Sequence, residues 1–184
     1  MILAIDTSAG QCAVALSGAN VQASRVTPMS RGHADALFPM IDEVLAECSV
    51  GYEDLTRIAV CVGPGSFTGL RAGIAAARGL ALGRGIPAIG ITRFEAIAAT
   101  KDAPCTVRIP GRRETVFAQD FDASGNAASA PRIETGTAVE EMADPTRIAA
   151  LARDRDASER PAPLYMRDAD AALPKDGPPV ILDA

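Results

Sequence analysis

The sequence predicts an α/β protein, with three short strands joined by tight turns and then helices and strands in alternation. Three observations carry this. Residues 2–26 hold short apolar runs separated by the turn signals Ala9-Gly10 and Gly18-Ala19-Asn20. Residues 58–62 and 87–91 are almost wholly apolar, as strands covered on both faces are. Two longer segments show the 3–4 spacing of helices.

Taken in order, Ile2 to Ile5 reads as a strand ending at Asp6. Gln11 to Ser17 and Val21 to Val26 complete an antiparallel meander. A helix follows over about Gly32 to Cys48. Ala34, Leu37, Ile41, Val44, Leu45 and Cys48 form its apolar stripe, and Phe38 and Met40 fall beside it. Ser30 is the expected N-cap, and Pro39, which lacks a donor, either kinks the run or marks a helix start after a looser turn over Ala34 to Phe38. Ile58 to Val62 is a strand. Thr68 to Arg84 is a helix rich in alanine and glycine, closed by Gly85. Pro87 to Ile91 is the next strand. Thr92 then caps a helix reaching about Ala99, with Glu95 completing a capping box.

Beyond Lys101 the apolar period weakens, and Pro, Asp and Arg become frequent. Strands are expected over Thr106 to Ile109 and Thr115 to Phe121, around a Gly111-Arg112-Arg113 turn. Short helices are expected over Ala138 to Met142 and Pro145 to Arg153, a loop over Asp154 to Pro163, and a loose tail over Pro174 to Pro179. The change in character divides the chain into an N-terminal lobe, 1–100, and an abbreviated C-terminal lobe with its tail, 101–184.

Composition narrows the function. The chain has 184 residues, 48% of them hydrophobic, and no tryptophan, so Ala, Val, Ile and Leu must fill the core. A net charge of -5 makes it a poor solo binder of tRNA or DNA, where phosphate neutralisation supplies most non-specific affinity. Cys12, Cys48, Cys61 and Cys105 show no C-x-x-C spacing and His33 is alone, so no zinc pattern is present. Reduced thiols fit the cytoplasm. The opening MILAIDTS does not read as a signal peptide, and Arg71, Arg78 and Arg84 break the longest apolar helix, so no membrane span is expected.

The stretch Gly63-Pro64-Gly65-Ser66-Phe67-Thr68-Gly69 joins a strand to a helix, where backbone N–H groups can hold an anion. It matches neither nucleotide motif. Gly69 is followed by Leu70-Arg71 rather than Lys-Ser/Thr, and the third glycine comes one place late for a dinucleotide fingerprint. A sharp structural turn is therefore favoured, with Gly63, Gly65 and Ser66 kept as possible phosphate contacts. Asp6, Thr7 and Ser8 join them, since an acid after the first strand can hold a metal-bound phosphate through water. The simpler reading of Asp6-Thr7-Ser8 is a turn bonding its own backbone. His33, Glu140-Glu141 and Arg112-Arg113 read as surface or cap residues and solvated charge pairs.

The following helix repeats small residues on several faces: Gly69, Gly73 and Ala77; Ala72 and Ala76; Ala75, Gly79 and Gly83. Gly73 and Gly79 together cost ~2 kcal/mol against alanine. Packing on the chain's own sheet explains one such face, and a helix–helix interface is expected to use another.

The segments AIDTS (4–8), HADALFPMIDEVL (33–45), GPGSFTGLRAGIAAARGLALG (63–83) and PAIGITRFEAIA (87–98) together resemble the TsaB (YeaZ) family, with PAPLYMRDADAALP (161–174) similar to its C-terminal segment. The resemblance is close over residues 1–100, and the GPGSFTGLR block is its specific part. It implies the actin-like, ribonuclease-H-like (ASKHA) fold. It also implies a non-catalytic subunit that binds and stabilises TsaD for threonylcarbamoyl transfer to N6 of adenosine 37 in tRNAs. TsaE joins the assembly, ATP is used by the partner subunits and no cofactor by this chain, tRNA is met only through the complex, and the chain is a homodimer when alone. The interface it implies lies on the two helices: Leu37, Met40, Ile41 and Val44 from the first, Thr68, Arg71, Ala72, Ala75, Ala76 and Gly79 from the second. A single histidine cannot supply the H-x-x-x-H metal motif of TsaD. The strand end Cys61-Val62-Gly63 lacks the carboxylate of actin-like ATPases. In the second half, the acidic residue that family members often carry with the basic turn, before the strand beginning here at Glu114, is missing from Ile109-Pro110-Gly111-Arg112-Arg113. The rival reading is an independent nucleotide hydrolase or kinase built on Asp6 and the Gly63–Gly65 turn.

Overall fold

The computed structural model describes residues 1–166. The expected tail over 174–179, and the end of the family-like segment from 167 on, lie outside the described residues.

Strands β1 (Ile2–Ala9), β2 (Gln11–Ser17) and β3 (Gln22–Pro28) form the antiparallel meander. Helix α1 (His33–Glu47) and a single 3-10 turn (Tyr52–Asp54) lead to β4 (Arg57–Cys61). Helix α2 (Phe67–Arg84), β5 (Ala88–Ile91) and α3 (Arg93–Ala98) follow. The sheet order is β3-β2-β1-β4-β5, with β1, β4 and β5 parallel. A second, antiparallel sheet has the order β6-β7-β8, from β6 (Cys105–Pro110), β7 (Thr115–Phe121) and β8 (Arg132–Thr135). Helix α4 (Pro145–Ala152) comes last.

Alternation along the strands sends side chains to opposite faces of the five-stranded sheet. Leu3, Ile5, Val14, Ile58 and Val60 pack beneath α1 and α2, with Leu37, Ile41, Val44, Leu70 and Ile74. Ile2, Ala4, Ala15, Ala59 and Ile89 face the other way, onto Ile148, Ala149 and Ala152 of α4. A third cluster joins Phe94 and Ile97 of α3 to Val107, Ile109 and Phe121 of the second sheet.

Local chemistry fixes the helix ends. The Ser66 hydroxyl accepts from Gly69 N (3.4 Å), and Gly85 closes α2 at φ 67°. Thr92 and Glu95 form the reciprocal box on α3, with Thr92 N to Glu95 Oε2 at 2.8 Å and Glu95 N to Thr92 Oγ1 at 3.1 Å. Asp144 accepts from Thr146 N, with Pro145 at the first helical position of α4.

Several expectations are corrected. The first strand runs through Asp6 to Ala9, its register shifting between those two residues. Helix α1 begins at Gly32 (φ 79°) with no side-chain cap, not at Ser30. Pro39 lies inside it. The proline deprives the Asp35 carbonyl of a helical donor, and the exposure of Asp35 lets water replace it. Residues 138–142 form no helix, and β8 was not foreseen. The boundary at residue 100 separates the two sheets but not their cores, because α4 and Ala143 return to cover the first sheet.

Candidate interaction site

Two glycine stripes run along α2 and the turn that leads into it, and they do different things. The first consists of Gly65, Gly69 and Gly73. A side chain on Gly65 would overlap the Ser8 carbonyl, one on Gly69 the Thr7 carbonyl, and one on Gly73 the Thr7 hydroxyl. The close approach is bonded as well as packed: Ser66 N donates to Ser8 O (2.6 Å) and Thr7 Oγ1 donates to Gly69 O (2.7 Å). This stripe seats α2 on the end of β1, so the Gly73 face, open to either reading in the sequence, is internal.

The phosphate candidates are part of that joint. Asp6, Thr7, Ser8 and Gly63 are buried, while Gly65 and Ser66 are exposed. Asp6 Oδ1 accepts from Ser8 N (2.8 Å), and its Oδ2 accepts from Gln11 Nε2 (3.2 Å). The Cys61 thiol donates to Ser8 Oγ (3.4 Å), and Ser66 is spent on its own helix cap. The local-turn reading of Asp6-Thr7-Ser8 accounts for the bond from Ser8 N to Asp6, while the remaining contacts tie the segment to β2, β4 and α2. Burial pushes the Cys61 thiol well up, reinforced by Asp6, and the same causes bring Cys12 up to about 11. Both thiols are therefore protonated at neutral pH and poor nucleophiles. His33 is also buried, its Nε2 3.3 Å from Ala9 O. Among the described residues no group of three His, Cys, Asp or Glu stands together as a metal site. No helix among them is long and apolar enough to cross a membrane.

The second stripe is open. Around Gly79 and Gly83 a side chain would meet nothing within 4 Å. With Ala72, Ala75, Ala76 and Leu80 they line a groove of about 790 Å³ between α2 and α1. The opposite wall is Ala34, Leu37 and Phe38, with Tyr52 and Arg84 also lining the groove. Apart from Tyr52 and Arg84, its lining is alanine, glycine and large apolar side chains, and Phe38 is 45% exposed. Burial pushes the Tyr52 hydroxyl up to about 12, helped by its bond to Asp42 (2.7 Å) and by that carboxylate's charge.

The structure sorts the expected interface residues. Ala72, Ala75, Ala76 and Gly79 line the groove. Leu37 reaches it but is 1% exposed. Met40, Ile41 and Val44 are core residues packed on the chain's own sheet, so their assignment to a partner surface is corrected. Thr68 and Arg71 are exposed on the first turns of α2. Arg71 is spent within the chain: its guanidinium lies 3.8 Å over the Phe67 ring, and its Nε donates to the Tyr165 hydroxyl (3.1 Å). Phe67 and Tyr165 stack at 5.2 Å. Sequence reasoning missed Ala34, Phe38, Tyr52, Leu80 and Arg84 as groove residues, and it named Gly83 only as one of the helix's small residues. The signal was there in Phe38, an apolar residue off the core stripe and so turned to another surface.

A family model described as TsaD: tRNA N6-adenosine threonylcarbamoyltransferase matches residues 20–173. The chain belongs to this family. Its relatives include the tRNA threonylcarbamoyladenosine biosynthesis proteins TsaB of Haemophilus influenzae, 40% identical over 97 residues, and of Escherichia coli, 38% identical over 97 residues. Each match covers 53% of this chain and 41% or 42% of the relative, so the chain matches about two fifths of those proteins' length. Among solved structures, YeaZ from Pseudomonas aeruginosa is 27% identical, with a TM-score of 0.66 over 78% of this chain and 71% of that one. A Pseudomonas aeruginosa protein described as similar to peptidase YeaZ reaches a TM-score of 0.78 at 22% identity, covering 90% and 99% of the two chains. These likenesses and the strand order give the actin-like, ribonuclease-H-like fold, and the TsaB (YeaZ) resemblance of the sequence is borne out.

Proposed function

We propose that this family member acts in the synthesis of threonylcarbamoyladenosine in tRNA, as a non-catalytic subunit that binds and stabilises a TsaD-type partner. The observation that carries the reading is the open apolar groove between α1 and α2. An interior helical glycine costs about 1 kcal/mol against alanine. For Gly69 and Gly73 the chain's own β1 supplies a reason, but for Gly79 and Gly83 it supplies none. A second helix laid in the groove would, because small residues let backbones approach closely and cover the apolar walls. The same surface is taken to pair with a second copy when the partner is absent. TsaE joins the assembly, ATP is consumed by the partner subunits, tRNA is met through the complex, and the setting is the cytoplasm.

A catalytic role for this chain is less well supported. The Asp6 carboxylate is buried and doubly bonded within the chain, and the lone histidine cannot form the histidine pair of a TsaD metal motif. The test is co-expression with the TsaD of the same organism. Gly79→Leu and Ala75→Arg should leave the circular dichroism of the chain unchanged. They should abolish co-elution with TsaD and lower the threonylcarbamoyladenosine content of tRNA. Assembly and modification that survive both substitutions would overturn the proposal. ATP turnover by the isolated chain that disappears in Asp6→Ala would favour the nucleotide hydrolase instead.

A further inference from the structure

The segment 136–144, between β8 and α4, has no helix or strand, yet it is tied down at several points. Arg93, the first residue of α3, donates through Nη2 to the Glu140 carboxylate and to the Glu141 carbonyl. Lys101 Nζ lies 2.7 Å from Glu141 Oε2. Gln11 Nε2 donates to the Ala143 carbonyl (2.9 Å), and the Met142 methyl lies against Gly10. The segment thus crosses from the β1–β2 turn to the β5–α3 turn, over the carboxyl ends of the parallel strands. Taking its carbonyls for side chains across the sheet is incompatible with the helix expected at 138–142.

Two features make this a latch rather than a piece of core. Its anchors at Glu140 and Glu141 are charged, and only Ala143 at its end, 2% exposed, reaches the core: the Glu140 and Glu141 side chains are 43% and 39% exposed, and Val139 is 82% exposed. Beneath it, Arg93 is almost wholly buried, and its Nε is the buried side-chain nitrogen among the described residues with no hydrogen-bond partner. An incompletely satisfied buried cation stabilises the closed arrangement less than a full set of bonds would.

We propose that residues 136–144 are a strap, held shut by the Arg93–Glu140 and Lys101–Glu141 pairs, that opens without unfolding the domain. Opening uncovers Gln11, Asp6, Ser8 and Cys61. These lie at the carboxyl edge of the parallel strands, where open α/β sheets take their ligands. The strap therefore controls access to that edge. The inference is independent of the groove between α1 and α2.

Cys61 is a built-in reporter, because it shares its core cluster with Ala143 of the strap. Cys12 is buried on the opposite face, beneath α1, and reports global unfolding. Labelling of the full chain with N-ethylmaleimide, followed by peptide mass spectrometry, separates the two. In Glu140→Gln/Glu141→Gln, Cys61 should react about tenfold faster while Cys12 keeps its wild-type rate. In the wild type, about 1 M NaCl, which shortens the Debye length to about 3 Å, should speed Cys61 selectively. That salt response should be absent from the double variant. If the double variant is globally destabilised, Glu141→Gln alone should give a smaller, still selective, acceleration. Cys61 and Cys12 reacting at one common rate in the wild type with salt and in Glu141→Gln would overturn the proposal. So would a salt response that persists unchanged in a folded double variant.

Discussion

A methyl group on Gly69 would overlap the carbonyl oxygen of Thr7. The obstacle is backbone, so no rotamer change relieves it, and the Thr7 hydroxyl holds the helix at that distance through its bond to the Gly69 carbonyl. Gly69→Ala should therefore destabilise the fold by about 1–3 kcal/mol, the usual cost of overpacking, even though alanine is the better helix former. Gly79→Ala meets open space and should stabilise the isolated chain by up to about 1 kcal/mol. Urea denaturation of the two variants should move in opposite directions. Gly69→Ala as stable as the wild type would remove the case that this stripe is built to seat α2 on β1.

The two sides of α1 make a second contrast. Ile41 is fully buried against the sheet, whereas Phe38 stands at the groove, 45% exposed. Ile41→Ala should cost about 2–5 kcal/mol of folding stability. Phe38→Ser should change stability by no more than about 0.5 kcal/mol yet weaken association at the groove. Size-exclusion with light scattering, set beside the denaturation curves, reads both effects. If Phe38→Ser loses stability as Ile41→Ala does, the Phe38 wall belongs to the monomer's core.

This contrast shows what the sequence could and could not reveal. Apolar periodicity located α1 and α2, and the capping residues Thr92 and Glu95 located α3, because those signals are local. The family resemblance put Met40, Ile41 and Val44 on a partner surface, but they pack inward, since a buried stripe is what any amphipathic helix owes to its own sheet. The two glycine stripes are alike as letters. Only the position of β1, set by pairing between residues more than fifty apart, tells Gly69 from Gly79. Glu140-Glu141 read as a solvated pair for the same reason: Arg93 and Lys101, their counter-charges, lie some forty residues earlier.

Glu95 ties α3 to the segment that follows α4. Burial pushes its carboxyl up, but hydrogen bonds from Arg155 (2.6 Å) and Thr92, with the Arg155 charge, outweigh that and leave it below the ordinary carboxylate value. A depressed folded-state value contributes stability that is present above the unfolded carboxylate range, about pH 4.3, and is lost as pH falls through the folded value. Arg155→Gln should therefore lower stability at pH 7 and do so by less at about pH 3, below the unfolded carboxylate value. Denaturation midpoints at the two pH values test this. An equal loss at both would mean that Arg155 acts by packing rather than charge.

Tyr52 offers a readout of the groove itself. The chain has two tyrosines and no tryptophan, so in a Tyr165→Phe background tyrosinate absorbance near 295 nm reports Tyr52 alone. Burial and then Asp42 raise its hydroxyl to about 12, against about 10 in the unfolded chain. The raised value means that folding favours the neutral phenol. The stability it contributes is complete below about pH 10 and is lost as pH rises through about 12. Asp42→Ala removes the hydrogen bond and the repelling charge but leaves the ring half-buried. The titration midpoint should therefore fall only part of the way towards about 10. A partner seated in the groove desolvates Tyr52 further and should move its midpoint upward in the complex. A midpoint unchanged by saturating TsaD would show that the partner covers some other face of the chain.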